Sequence, residues 1–198
     1  MLKHFDNMKL ITIINSYDEA GTTPRYYLKA DTALLRNNDA FYIPDGVGRV
    51  VAAPHIVLKV ARLAKCIGER FAPRCIEGVM GGVTFTAIDM LDKARREGLP
   101  WDEAVGFDHS SALSLDTLSR DAMLEGAIFY INGQECARIT LGDMRFTPES
   151  IVSHLSECMT LRIGDLIFLG SPAEFEVKAG DNYRLTIGDH TLLNFDIK

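Results

Sequence analysis

The hydrophobic pattern of the chain consists mainly of short apolar runs that end at turn residues. The first runs occupy Lys9–Ile14 and Arg25–Leu35, and Asn37-Asn38-Asp39 follows as a turn. A third run, rich in β-branched residues, covers His55–Arg62. Apolar runs of this length between turn residues predict buried strands. We therefore expect the first two runs to be early strands of one sheet, with a further buried strand at His55.

Two later segments have the pattern of β-hairpins. Ala127–Ile131 and Gln134–Thr140 are apolar or alternating segments on either side of Asn132-Gly133. An Asn-Gly pair accepts the positive φ angles of a type I′ turn, which predicts a tight hairpin. The last segment repeats the pattern around Gly188-Asp189-His190, so we predict a second hairpin at the end of the chain.

Helical signals occur at two places. A first helix is predicted to begin near Thr86, whose hydroxyl could form a capping box with Asp89, and to end before Gly98 and Pro100. A second helix is predicted after Thr147, which is suited to cap the helix that Pro148 begins. Its predicted apolar face consists of Ile151, Val152, Leu155, Cys158 and Met159. Strands and hairpins therefore outnumber helices, which indicates a β-rich α+β domain.

Composition narrows the possible partners. The chain has 198 residues, of which 47% are hydrophobic, so residues 1–198 fit one domain with a continuous core. A net charge of -6 argues against nucleic acid and anionic membrane partners. The N-terminus lacks the pattern of a signal peptide and no apolar stretch is long enough to span a membrane, so we expect a cytoplasmic protein. The four cysteines are widely spaced, and we expect four buried thiols.

Four separated segments carry a resemblance to a known family. Leu161–Asp181 combines an apolar strand with Gly164-Asp165, Gly170-Ser171-Pro172 and Gly180-Asp181. Together with Lys29–Leu34, Thr86-Ala-Ile-Asp89 and Gly98-Leu-Pro-Trp101, it resembles the fumarylacetoacetate hydrolase superfamily. The resemblance implies a mixed β-sandwich roll that pairs as a homodimer, and the apolar strands Ile128–Ile131 and Leu166–Leu169 are the surfaces expected to pair. It also implies a relation to acylpyruvate hydrolases, oxaloacetate decarboxylases and 2-hydroxyhepta-2,4-diene-1,7-dioate isomerases.

The resemblance implies a Mg²⁺ or Mn²⁺ site made of three carboxylates, a Glu-x-Glu pair and an Asp. Counting back from Thr86-Ala-Ile-Asp89 places these positions at Ala53, His55 and Thr84. A methyl group, an imidazole and a hydroxyl are poor ligands for ions that prefer anionic oxygen. We therefore expect no metal cofactor. His55 could join a softer metal such as Zn²⁺, but a single histidine on an apolar strand is more typical of a hydrogen-bonded structural residue.

The positions that the resemblance assigns to the substrate pocket are also changed. Ile88 stands in place of an arginine, Leu91 in place of a glutamine, and Val105 in place of a lysine. Lys29 and Ser171 keep polar groups, although a lysine at a strand edge is usually solvated and a serine before proline is a common turn residue. The segment Asn15–Pro24, which matches the family's catalytic lid, contains no histidine.

Two interpretations of function remain open. The first is a non-catalytic partner or ligand-binding protein, which pairs with itself or with an active relative. The second is a divergent hydrolase, isomerase or decarboxylase of a small oxo acid with a rebuilt site. Asp108, His109 and Lys29, with His55, are the candidates for such a site. Asp108 and His109 adjoin two serines, but sequence neighbours cannot form a catalytic relay with one another.

Overall fold

The computed structural model describes residues 8–18 and 21–198, and within them strands are far more frequent than helices. The strands are β1 (Leu10–Ile13), β2 (Tyr26–Lys29), β3 (Leu34–Leu35), β4 (Val50–Val60), β5 (Ile76–Ala87), β6 (Ser111–Leu113), β7 (Ala127–Ile131), β8 (Gln134–Ile139), β9 (Leu166–Phe168), β10 (Phe175–Glu176), β11 (Asn182–Ile187) and β12 (His190–Asp196). The α-helices are α1 (Ile88–Glu97), α2 (Asp102–Val105) and α3 (Pro148–Cys158). Short 3₁₀ helices cover Asp31–Ala33, Glu69–Cys75, Arg120–Glu125 and Leu141–Asp143. The prediction of a β-rich α+β fold is confirmed.

The larger sheet is mixed and contains eight strands. Its order is β2-β1-β9-β4-β5-β6-β3, and β10 pairs with β4. The pairs β1–β9 and β3–β6 are parallel, and the remaining pairs are antiparallel. Both predicted early strands, together with the predicted strand at His55, therefore belong to one sheet.

The smaller sheet has the order β12-β11-β7-β8 and consists of the two predicted hairpins. Asn132 and Gly133 have φ angles of 53° and 79°, as the Asn-Gly turn requires. The main core lies between the two sheets and contains most of the large buried aromatic residues. Phe41 stacks on Phe85 with 3.7 Å between ring centroids, and Tyr183 and Phe195 pack edge to face beside them.

The other face of the large sheet has a smaller core of its own. Side chains alternate between the two faces of a strand, so Ile56 and Leu58 reach the main core while His55 and Val57 point to the opposite face. There Val57, Met80, Phe168 and Leu10 form the smaller cluster. Helices α1 and α2 contact β4 and β5 and carry a third cluster. This alternation determines which residues of β4 and β5 can form a site.

Strand β5 was absent from the sequence prediction, and it is the longest strand of the described residues. Glycines interrupt its apolar pattern, but close packing accounts for two of them. A Cβ atom at Gly82 would lie 2.6 Å from Val57 Cγ2, and one at Gly81 would lie 2.7 Å from Leu185 Cδ2. Strand β4 also begins earlier than predicted, because Val50 to Pro54 pair with β5.

The first helix begins two residues later than the sequence indicated. Thr86 is the penultimate residue of β5, and no side chain caps α1. The carboxylate of Asp89 instead accepts hydrogen bonds from Arg49, including the backbone N–H at 2.8 Å. The predicted capping box is therefore wrong. The predicted end is correct, since Gly98 closes the helix with a φ angle of 67°.

The second predicted helix is confirmed at its start. Thr147 Oγ1 accepts a hydrogen bond from the N–H of Ser150 at 3.1 Å. Ile151, Val152 and Leu155 are buried as expected. Cys158 is exposed at the last turn, so the prediction that it lies on the apolar face of the helix was wrong.

The expectation of four buried thiols is wrong for three of them. Cys75 is buried, whereas Cys66, Cys136 and Cys158 are exposed.

In the described residues, no helix has both the length and the apolar character needed to cross a membrane.

Candidate ligand-binding site

A small cavity of about 120 Å³ opens beside the outer face of the large sheet. Its floor comes from β1, β2, β4 and β5, and its cover comes from α1, α2 and the turn between them. The lining residues are Thr12, Ile13, Ile14, Tyr27, Ala53, His55, Thr84, Thr86, Leu91, Arg95, Trp101, Val105, Ser171 and Glu174. A larger depression lies against Met90, Leu99 and Pro100, but no buried polar side chain lines it. The smaller cavity is therefore the candidate site.

Strand pairing brings the three positions of the expected metal site together. Ala53 lies opposite Thr84 in the β4–β5 ladder, and His55 lies two residues further along β4 on the same face. Thr12 lies opposite Tyr27 in the β1–β2 ladder, with side chains on that face too. The three positions counted back from Thr86-Ala-Ile-Asp89 therefore lie on one face of the sheet. The sequence did not identify Thr12, Tyr27 or Thr86 as members of the site.

His55 is held by hydrogen bonds on both ring nitrogens. The backbone N–H of Gly170 donates to Nδ1 at 3.2 Å, and Nε2 lies 2.9 Å from Thr84 Oγ1. A nitrogen that accepts an N–H carries no proton, so the proton of the neutral ring is on Nε2 and is donated to Thr84. Burial, assisted by the positive charge of Lys29, lowers the pKa of His55 to about 3. The ring is therefore neutral at physiological pH.

Hydroxyl groups surround the inner end of the cavity. The hydroxyl of Tyr27 lies beside those of Thr12, Thr84 and Thr86. Burial raises the pKa of Tyr27 to about 12, and hydrogen bonding to these three hydroxyls partly opposes the rise. Thr12 Oγ1 is buried and has no partner at hydrogen-bonding geometry. The floor thus consists of uncharged hydrogen-bonding groups.

Lys29 is buried rather than solvated, contrary to the expectation for a lysine at a strand edge. Its exposed fraction is 5%, and Nζ donates to Ser110 O at 2.7 Å and to Ser110 Oγ at 3.2 Å. Burial lowers the pKa of Lys29 well below its ordinary value. The amino group of Lys29 is therefore held by Ser110 and not by a carboxylate. Lys29 lies near enough to His55 to affect the pKa of His55 and is not part of the cavity lining.

The wall opposite the hydroxyls is apolar. Leu91 and Val105 are buried in the cluster that α1 and α2 form, and Ile88 packs against it without lining the cavity. Arg95 and Glu174 lie exposed at the mouth. The guanidinium carbon of Arg95 lies 5.1 Å from the ring centroid of Trp101. The Oγ of Ser171 donates to Ala173 O at 2.7 Å, so this hydroxyl is used within its own turn.

Asp108 and His109 lie elsewhere. Both are exposed, and His109 has a φ angle of 62° and lines a separate depression with Tyr42 and Lys198. The segment Asn15–Pro24 is closed at its base, where Asn15 Oδ1 accepts from the N–H of Arg25 at 2.8 Å. Glu19 and Ala20 of that segment lie outside the described residues.

The floor does not fit Mg²⁺ or Mn²⁺. Neither nitrogen of His55 offers a free lone pair, because one accepts from Gly170 and the other carries the proton. Ala53 has no donor atom, and Thr84 offers a neutral hydroxyl to ions that prefer carboxylates. Within residues 8–18 and 21–198, no three His, Cys, Asp or Glu side chains are grouped so that they could hold a metal ion.

Comparisons with known proteins agree on one family. The model of the fumarylacetoacetate (FAA) hydrolase C-terminal domain matches residues 1–197. Oxaloacetate tautomerase YcgM of Escherichia coli K12 is 24% identical over 174 residues, which are 85% of this chain and 80% of that protein.

Solved structures show the same fold. A Yersinia pestis CO92 protein assigned to the fumarylacetoacetate hydrolase family superposes with a TM-score of 0.91 at 23% identity, covering 99% of this chain and 95% of that one. Fumarylpyruvate hydrolase of Pseudomonas aeruginosa, solved with Mn²⁺ and pyruvate, superposes with a TM-score of 0.85 at 19% identity. The match covers 96% of this chain and 88% of that one.

Proposed function

The chain belongs to the fumarylacetoacetate hydrolase family, and we propose that it is a non-catalytic member that binds a small ligand without a metal ion. The observation that carries this proposal is the state of His55, whose two nitrogens are both used in hydrogen bonds within the protein. A ring held in this way supports a rigid hydroxyl-lined floor. It neither binds a cation nor accepts a proton near neutral pH.

The rest of the cavity supports binding rather than the family's metal-dependent chemistry. A metal ion in such a site would chelate an oxo acid and stabilise the enolate that develops from it. Here the floor supplies hydroxyls, and the walls at Leu91 and Val105 supply apolar contacts. Such a surface can select a ligand by shape and hydrogen bonding. It has no cation at the floor to neutralise an enolate charge.

A divergent enzyme of a small oxo acid is the second candidate. Curated relatives include oxaloacetate tautomerases and a fumarylpyruvate hydrolase. Arg95 at the mouth could hold a carboxylate, and Tyr27 could exchange a proton with a bound molecule. In this candidate Lys29 acts through its electrostatic effect on His55. Asp108 and His109 are exposed and lie outside the cavity.

Metal titration tests the first proposal. We expect calorimetric titration of the dialysed protein with Mn²⁺ or Mg²⁺ to give no stoichiometric binding. The variant Ala53→Glu/His55→Glu/Thr84→Asp restores the three carboxylates that the family pattern predicts and should gain Mn²⁺ binding. One equivalent of metal bound by the unmodified protein at micromolar affinity would contradict the proposal.

Turnover assays separate the two candidates. We expect no conversion of oxaloacetate, acylpyruvates or hydroxyhepta-dienedioate above a buffer control. A rate that is lost in both Tyr27→Phe and Arg95→Ala, and kept in His109→Ala outside the cavity, would favour the divergent enzyme. A rate that only His109→Ala abolishes would place the chemistry in the other depression.

A further inference from the structure

The unpaired hydroxyl of Thr12 indicates that the cavity is built for a ligand atom. Thr12 Oγ1 is buried, lines the cavity and has no partner at full hydrogen-bonding geometry, and the neighbouring hydroxyl that interacts with it is that of Tyr27. A buried hydroxyl without a partner costs about 1–3 kcal/mol. A ligand oxygen or nitrogen that enters beside Thr12 and Tyr27 would recover this energy.

The hydrogen bonds behind the floor have a definite direction. The N–H of Gly170 donates to His55, and His55 donates to Thr84 Oγ1. The proton of the Thr84 hydroxyl is therefore directed away from His55, and Tyr27 is a neighbouring hydroxyl. Tyr27 keeps its own proton at neutral pH, since its pKa is raised to about 12. The floor accordingly presents hydrogen-bond donors and favours a ligand with an acceptor atom.

The charges around the cavity do not favour an anion. The floor residues Thr12, Tyr27, His55 and Thr84 are all uncharged at neutral pH. At the mouth, the positive charge of Arg95 is opposed by the nearby carboxylate of Glu174. The buried amino group of Lys29 is bound to Ser110 and does not line the cavity. A carboxylate would lose its hydration at this floor without gaining a direct cationic partner.

We propose that the cavity binds a compact, uncharged molecule whose carbonyl oxygen accepts hydrogen bonds from Thr12 and Tyr27 and whose apolar side faces Leu91 and Val105. The volume of about 120 Å³ is well below that of cavities for drug-sized ligands, which sets the compact size. This inference rests on the proposed metal-independent function. It differs from that function in naming the charge and the acceptor group of the ligand.

Pyruvamide and pyruvate form a matched pair for the test, because they share one skeleton and differ in charge. In metal-free buffer, ligand-observed NMR titration should show pyruvamide binding at least about tenfold more tightly than pyruvate. Tighter binding of pyruvate would overturn the inference and leave metal-free binding intact. Absence of binding by both compounds would also overturn it, whereas metal uptake would contradict the proposed function itself.

Three variants locate the binding. Thr12→Val and Tyr27→Phe each remove one hydroxyl with little change of shape, and each should weaken pyruvamide binding about fivefold. Ser111→Ala is the control, because Ser111 Oγ is also buried and unpaired but does not line the cavity. Thermal melts verify that each variant is folded. Unchanged affinity in both Thr12→Val and Tyr27→Phe, or equal loss in Ser111→Ala, would contradict the assignment.

Discussion

At the scale of single residues, His55 couples the site to the stability of the fold. The folded protein excludes the imidazolium because the ring is buried beside Lys29. The unfolded chain has no such restriction and takes up a proton near the ordinary pKa of histidine. Acid must therefore destabilise the fold through this residue.

The expected pH dependence follows from the direction of the shift. The pKa of His55 in the folded protein, about 3, lies below its unfolded value of 6.5. The contribution of His55 to the free energy of unfolding is therefore complete above pH 6.5 and decreases as the pH falls toward 3. The total loss attributable to His55 should be roughly 5 kcal/mol. Urea unfolding at several pH values measures it, and His55→Gln should show a smaller loss between neutral pH and pH 4.

The variant His190→Ala is the control for this experiment. His190 is exposed on β12, and its removal should leave the acid dependence unchanged. An acid dependence that is equal in the unmodified protein and in His55→Gln would show that other groups are responsible.

Sequence reasoning located this site only in part. It named Ala53, His55 and Thr84 by counting back from Thr86–Asp89, and the β4–β5 register brings these three positions together. It treated Thr86 as a helix cap because threonine before an acidic residue is typical of a helix start. Tyr27 gave no signal, since one aromatic residue in a strand is usually a packing residue. The contacts that bury it come from distant parts of the chain.

At the scale of elements, strand β5 shows why hydrophobic periodicity alone was insufficient. Its glycines weaken the apolar pattern, yet they allow β4, β9 and the smaller sheet to approach closely. Gly82 lies opposite His55, and the ring of Phe168 packs edge to face on His55 with 5.5 Å between centroids. The hairpins and the start of α3 were predictable because their turn and cap residues act locally. The packing that selects glycine in β5 is not local.

A methyl group at Gly82 tests this packing. Its Cβ atom would lie 2.6 Å from Val57 Cγ2 and 2.7 Å from Phe168 Cε1, so side chains of the smaller cluster must move. We expect Gly82→Ala to lower the free energy of unfolding by about 2 kcal/mol. Gly68→Ala introduces the same methyl group in open space and should change the free energy of unfolding by less than about 0.5 kcal/mol. Equal effects in denaturant titrations would contradict this account.

The exposed apolar side chains of the whole molecule indicate how it could assemble. The strand Leu166–Leu169, which the sequence suggested as part of a subunit interface, is buried within the single chain. Ile128 and Ile131 in β7 are half-buried. Large apolar side chains nevertheless remain exposed, including Leu63, Leu124 and Ile163. These residues are better candidates for a contact surface.

We expect a homodimer with twice the chain mass of 22.0 kDa, about 44 kDa. Pairing would remove exposed apolar surface from water, and a stable interface buries on the order of 1,600 Å². Light scattering across a wide dilution series measures the mass. A monomer at all concentrations would contradict the homodimer and favour pairing with a different, active relative, which mixing experiments would then test.

The position of Trp101 has a practical consequence. It is the one tryptophan of the chain, and its indole lines the cavity beside Arg95. Intrinsic fluorescence excited at the tryptophan band therefore comes from a single ring at the site. A molecule that displaces water from this ring should change the emission wavelength or intensity. The protein thus contains its own optical probe for screening candidate ligands, without a label or a coupled reaction.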